Sequence, residues 1–178
     1  MITTASGCGT HLKDYGFVFR EDPELARPAA AASALVRDIT EWLYEAGPPL
    51  SRAGGAARDA ASEGLIVAYH SACSMQHGLK LHAPPRKLLE RAGFEVREIP
   101  EGHLCCGSAG SYNILQAELA ARLRSRKLEN IGRTGAALVA TGNIGCMVQL
   151  TAAGSPPIVH TAELLDWATG GPRPAGLG

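Results

Sequence analysis

Leu65-Ile66-Val67-Ala68-Tyr69 is an unbroken apolar run that stops at His70. A short run of this kind, after a polar stretch, reads as a buried strand. Downstream, Pro84 to Ala92 reads as a helix, and Gly93-Phe94-Glu95-Val96-Arg97-Glu98-Ile99 alternates as a strand should. A loop bearing Cys105-Cys106-Gly107 leads into a long helical pattern through Leu115, Leu119, Leu123 and Leu128. Ala136 to Ala140 reads as a third strand, followed by Gly142 and Cys146, and Pro157 to His160 as a fourth. Thr161 is placed to cap a helix over Ala162 to Ala168. This order, β-α-β-α-β-α-β-α, predicts an α/β fold with a parallel sheet flanked by helices.

Upstream, Leu25, Ala32, Leu35, Val36, Ile39 and Leu43 recur at helical steps, so one helix is expected over roughly Pro28 to Ala46. Gly47-Pro48-Pro49 stops it, and the small, polar stretch Ser51 to Glu63 reads as a linker. The opening segment, Met1 to Gly16, holds Cys8 between two glycines.

The chemistry lies in the cysteines. Neighbouring Cα atoms sit about 3.8 Å apart, below the roughly 4.4–6.8 Å of an unstrained disulfide, so Cys105 and Cys106 are not expected to bond to each other. Cys73, Cys105, Cys106 and Cys146 each follow an expected strand, and chemistry in such sheets gathers at the carboxyl ends of strands. The four are therefore expected to converge on one edge. Four thiolates suit a soft centre, either an iron–sulfur cluster or a zinc ion, and spacing alone leaves both open. Buried free cysteines are the plainer alternative. They fit less well here, because all four sit beside glycine or in polar loops.

The rest of the chain narrows the options. The 178 residues carry 17 basic and 17 acidic side chains, which gives no electrostatic case for nucleic acid. Met1-Ile2-Thr3-Thr4-Ala5-Ser6 lacks the pattern of a signal peptide, and no apolar run is long enough to span a bilayer. Five cysteines without an export signal point to a reducing, cytoplasmic setting.

Other candidates are weaker. His70, His77, His82 and His103 flank the cysteines as ligands or hydrogen-bond donors to them, although capping or partly exposed histidines are the expectation; His160 is read as structural. Gly107-Ser108-Ala109-Gly110 matches neither phosphate-loop fingerprint, and reads as a tight turn whose amides face sulfur or a small anion. Arg122, Arg124, Arg126, Lys127 and Arg133 read as a solvated face, with a docking patch as the alternative. No catalytic triad, His-Glu-x-x-His motif or paired carboxylates occur.

Taken together, Tyr69-His70-Ser71-Ala72-Cys73, Leu104-Cys105-Cys106-Gly107-Ser108-Ala109-Gly110, Thr141-Gly142-Asn143-Ile144-Gly145-Cys146 and Glu163-Leu164-Leu165-Asp166 resemble the CCG cysteine-rich domain. That domain occurs in heterodisulfide reductase subunits, in anaerobic glycerol-3-phosphate dehydrogenase subunits, and in iron–sulfur subunits of lactate and glycolate oxidation. The likeness is to the C-terminal half of glycolate oxidase iron–sulfur subunits. Ala5-Ser6-Gly7-Cys8-Gly9 and Leu12-Lys13-Asp14-Tyr15-Gly16 resemble the close of a preceding unit. The resemblance implies residues 1–50 as the remnant of a first unit, 51–64 as linker, 65–170 as a complete CCG domain and 171–178 as tail.

It also implies an iron–sulfur cluster of [4Fe-4S] type on Cys73, Cys105, Cys106 and Cys146, with zinc as the alternative. Cys8 would be a ligand only alongside a missing N-terminal part. Electrons would pass from flavin-containing glycolate oxidase subunits to an acceptor, in the cytoplasm or at the inner face of the membrane. A lactate or glycerol-3-phosphate system, or a zinc-stabilised interaction module, are the alternatives. Two departures stand out. Asn143 and Ala5 replace the first cysteine of the family's closing Cys-x-x-Cys, and the Asn143 amide is free to hydrogen-bond a sulfur. Ferredoxin-like Cys-x-x-Cys-x-x-Cys modules are absent, so the chain is expected to be a fragment or to depend on modules elsewhere.

Overall fold

The computed structural model describes residues 1–47, 64–151 and 155–177. It opens with a two-stranded parallel ladder of β1 (Ile2–Thr3) and β2 (Arg37–Asp38). Helices α1 (Ser6–Lys13), α2 (Tyr15–Val18) and α3 (Ala26–Leu35) lie between these strands, and α4 (Ile39–Ala46) follows β2.

This corrects the single helix expected over Pro28 to Ala46. Val36 is extended (φ −75°, ψ 127°), which ends α3, and Asp38 starts a new helix. Its carboxylate accepts from Thr40 N at 2.8 Å, while the Glu41 side chain returns to the Asp38 backbone, forming a capping box. Gly47 closes α4 in the left-handed conformation. The expected linker lies outside the described residues, except for Gly64.

The second part follows the expected order. Strands β3 (Ile66–Tyr69), β4 (Glu95–Glu98), β5 (Leu138–Thr141) and β6 (Ile158–His160) form a parallel sheet in the order β4-β3-β5-β6. Val67 pairs with Val96 on one side and Leu138 on the other, and Val139 pairs with Ile158. Side chains alternate between faces. Val67, Tyr69, Leu138 and Ala140 pack under α5 (Pro84–Arg91) and α9 (Thr161–Ala168), with Leu88, Leu89, Leu164 and Trp167. Ala68 and Val139 face the other way, towards Met75, Ile131, Cys106, Cys146 and Leu150. Full burial of a leucine such as Leu88 or Leu164 contributes roughly 1.5–3 kcal/mol.

Two boundaries differ from expectation. The long helical pattern is broken at Gln116 into α6 (Tyr112–Leu115) and α7 (Ala117–Gly132). The cap of α9 is His160, not Thr161: His160 Nδ1 accepts from Ala162 N at 3.1 Å, and Glu163 completes the box.

The connections place the site. From β3 the chain passes through a π-helical turn (Ser74–Gly78) and α5 to β4; from β5 it passes through α8 (Ile144–Leu150) to β6, on the opposite side. Where successive connections diverge, a crevice opens at the carboxyl ends of the strands. Here that crevice lies beyond β3 and β5, and the N-terminal segment reaches it: Ser6 N donates to Gly142 O at 3.0 Å.

Candidate metal centre

Three pieces of local structure deliver the four cysteines. Cys73 follows β3 and precedes the π-helical turn. Cys105 and Cys106 follow β4, in a loop docked on α7 through Glu101. The Glu101 carboxylate pairs with Arg126 and accepts from Asn130 Nδ2 at 2.8 Å, and its carbonyl accepts from Lys127 Nζ at 3.0 Å. Arg126 and Asn130 hold the Glu101 carboxyl down to about 2. Cys146 lies in the first turn of α8, whose cap is Asn143; Asn143 Oδ1 accepts from Cys146 N at 3.2 Å.

These pieces meet. Cys106 Sγ donates to Cys146 Sγ at 3.3 Å, and both residues are buried. Cys105 Sγ accepts from Gly107 N at 3.3 Å and interacts with Cys73. Gly107 has φ +93°, and a Cβ there would stand 2.5 Å from Ala120 O, so glycine is required for the loop to lie on α7. The four cysteines expected to converge are thus linked as Cys73, Cys105, Cys106 and Cys146. Cys8 is exposed on α1, outside this set.

The site also holds residues whose role the sequence did not show. His70 is buried, and one of its ring nitrogens and the sulfurs of Cys106 and Cys146 all lie within 4.8 Å of one another. Its Nε2 has no hydrogen-bond partner among the described residues. Burial, with the nearby Lys127 ammonium, pushes His70 down to about 3, so the ring is neutral. The expectation of a capping or partly exposed histidine is therefore corrected for His70. His77, His82 and His103 are exposed.

Lys127 corrects the solvated-face reading at that position. It is fully buried, and the carbonyl of Glu101 and the nearby sulfurs of Cys106, Cys105 and Cys146 offset its desolvation in part. Arg122, Arg126 and Arg133 do line an open cleft of ≈ 620 Å³ along α7, interleaved with Glu118 and Glu129. That cleft holds no thiol and no histidine.

Among the described residues, Asn143 makes no hydrogen bond to a sulfur. Besides capping α8, its Nδ2 donates to Ser6 Oγ at 3.1 Å and Ser74 Oγ at 3.3 Å, and these two hydroxyls are 2.8 Å apart. The N-terminal segment therefore completes the frame around the crevice. No sequence pattern marked Ser6 or Ser74.

Three of the thiols, Cys73, Cys105 and Cys106, are shifted towards the protonated form. Contact with Cys106, then burial, raises Cys105, and burial, then the neighbouring Cys105, raises Cys73. For Cys106, the hydrogen bond with Cys105 lowers the pKa; contact with Cys146 and burial outweigh it and leave the thiol at about 11. Sulfurs crowded together, with a buried imidazole nitrogen beside them, form a donor set that a metal would take up by displacing protons. The residues present fit a thiolate-bound metal centre.

A sulfur-lined crevice at the switch point of a parallel α/β sheet defines a cysteine-rich metal-binding class of domain. Comparison with known proteins agrees: residues 67–151 match the cysteine-rich domain family CCG, and the chain carries a member of that family. Over 168 residues it is 35% identical to the glycolate oxidase iron-sulfur subunit of Escherichia coli (strain K12), covering 94% of this chain and 39% of that protein. Over 179 residues it is 32% identical to the probable glycolate oxidase iron-sulfur subunit of Bacillus subtilis (strain 168), covering 96% and 39%. Lactate utilization protein A of Geobacillus thermodenitrificans (strain NG80-2) is 26% identical over 172 residues, covering 93% and 69%. The chain thus spans about two fifths of the glycolate oxidase subunits it matches. No described helix is long and apolar enough to cross a membrane.

Proposed function

We propose that this chain is the electron-carrying part of a glycolate oxidase iron–sulfur subunit, with Cys73, Cys105, Cys106 and Cys146 holding a cluster of [4Fe-4S] type. The observation that carries this is the linkage of four thiols from three separate segments at one switch point. When bound, such a cluster supplies a reversible one-electron couple. The chain's own residues would set its surroundings. Burial of Cys106 and Cys146 excludes water. The Gly107 amide directs a hydrogen bond at sulfur, and Lys127 places a buried positive charge beside the thiolates. Substrate oxidation would take place on a flavin-bearing subunit, from which this chain takes electrons for an acceptor, in the cytoplasm or at the inner membrane face.

Docking of such a subunit is supported by the apolar side chains left exposed beside the site. Ile144 and Val148 share one face of α8, and Ile114 and Leu115 lie on α6, which Asn113 Nδ2 ties to Gln149 Oε1 at 3.2 Å. Residues 65–170 would be the complete domain, with 1–50 the close of a preceding one. A second reading, a zinc-stabilised module, is favoured by one observation: His70 with Cys106 and Cys146 makes a mixed nitrogen and sulfur donor set. The test is anaerobic mixing of the coloured protein with the flavin-bearing subunit and glycolate. Bleaching of the visible absorbance is expected. No bleaching, or a colourless protein containing zinc, would contradict electron transfer.

A further inference from the structure

His70 is the first residue past β3, and its place in the sheet fixes where its ring goes. Its backbone N donates to Ala140 O at 2.8 Å, so the pairing with β5 runs one residue beyond Tyr69. Side chains alternate along a strand, which puts His70 on the face of Ala68, towards Cys106 and Cys146, and Tyr69 on the other face. His70 is 2% exposed, and its Nε2 is buried with no hydrogen-bond partner among the described residues. An orphaned nitrogen in the interior costs about 1–3 kcal/mol, and a metal ion is a partner that removes that cost.

Distance and charge both suit such a partner. A metal ion holds imidazole nitrogen at about 2.0–2.1 Å and thiolate sulfur at about 2.3 Å, so tetrahedral neighbours stand roughly 3.5–3.8 Å apart. The Cys106 and Cys146 sulfurs are 3.3 Å apart, and a His70 ring nitrogen lies within 4.8 Å of each. Shifts of about an ångström therefore bring the three donors onto one ion. Two thiolates balance a divalent ion, and a neutral imidazole adds a donor without adding charge. Asn143 does not compete for the position, because its amide is engaged by Cys146 N, Ser6 Oγ and Ser74 Oγ.

We infer that His70 is a ligand of the metal, bound through Nε2 beside the thiolates of Cys106 and Cys146. This rests on the metal-centre reading and adds to it a nitrogen donor from the end of the sheet, where the cysteines come from the segments that follow the strands.

Cobalt(II), added anaerobically to the metal-free full chain, is the probe. Sulfur-to-cobalt charge-transfer absorbance reports the thiolates, and strongly shifted imidazole resonances in the proton NMR spectrum report a bound histidine. Both are expected in the wild-type chain. In His70→Gln the imidazole resonances should vanish and cobalt affinity should fall by about ten- to a hundredfold. His70→Cys exchanges one donor for another, so it should bind cobalt more tightly than His70→Gln, with stronger charge-transfer absorbance and no imidazole resonance. Charge-transfer absorbance without shifted imidazole resonances in the wild-type chain, or the same resonances in His70→Gln, would overturn the proposal. The wild-type spectrum decides this even where a variant does not fold. Absence of charge-transfer absorbance would overturn the metal centre and the proposal together.

Discussion

Cys106 Sγ lies 3.3 Å from Cys146 Sγ, which joins the loop after β4 to the first turn of α8 across the end of the sheet. Cys105 makes the second link, to Cys73, while Cys8 stands apart on α1. Cys105→Ser, Cys106→Ser or Cys146→Ser should each abolish metal binding, and Cys8→Ser should leave it unchanged. Metal analysis of the purified variants checks this; retained metal in Cys106→Ser would refute the site.

Gly107 is required by both conformation and space. Its positive φ and the approach of Ala120 O leave no room for a methyl group. Gly107→Ala should therefore destabilise the protein by on the order of 2–4 kcal/mol. Urea unfolding would show the loss, and metal uptake should fall with it, because the Gly107 amide is also a donor to Cys105 sulfur.

His70 makes stability depend on pH. Its folded pKa of about 3 lies below the ordinary 6.5, so between these values the unfolded chain binds more protons. Stability is then full above pH 6.5 and declines as pH falls towards 3. For this one group the loss between pH 7 and pH 5 is about 2 kcal/mol. Denaturant titrations of metal-free protein at the two pH values measure it, and His70→Gln should flatten the difference.

Lys127 is a fully buried lysine, and its desolvation lowers its pKa. Lys127→Met should leave the metal-free protein as stable or more so, since a desolvated ammonium is exchanged for a hydrophobe of similar size. In the loaded protein, loss of a positive charge beside the sulfurs should lower the midpoint potential by on the order of tens of millivolts. Redox titration distinguishes this from a purely structural role, which would leave the potential unmoved.

The sheet was legible because its strands are short apolar runs or, in β4, an alternating one, separated by helical periods; Leu65 to Tyr69 is the plainest of them. The helix break at Val36 was less so: apolar spacing runs on unbroken from Leu35 to Leu43, and only the box formed by Asp38 and Glu41 signals a restart. At the site, the cysteines announced themselves by type and by their position after strands. Lys127 did not, since a lysine among arginines suggests solvent. Its spacing from Ala120 and Ile131, both buried, does place it on the inner stripe of α7. Asn143 looked like a lost ligand and proved to be a cap that ties Ser6 to Ser74. Such long-range polar contacts leave no local periodic trace.

The central claim is that the four linked thiols hold an iron–sulfur cluster. Iron, zinc and acid-labile sulfide, determined on anaerobically purified protein together with its visible spectrum, test it most directly. The account predicts iron and sulfide in comparable amounts and a broad absorbance towards the blue. Zinc without sulfide or colour, or no metal at all, would contradict it.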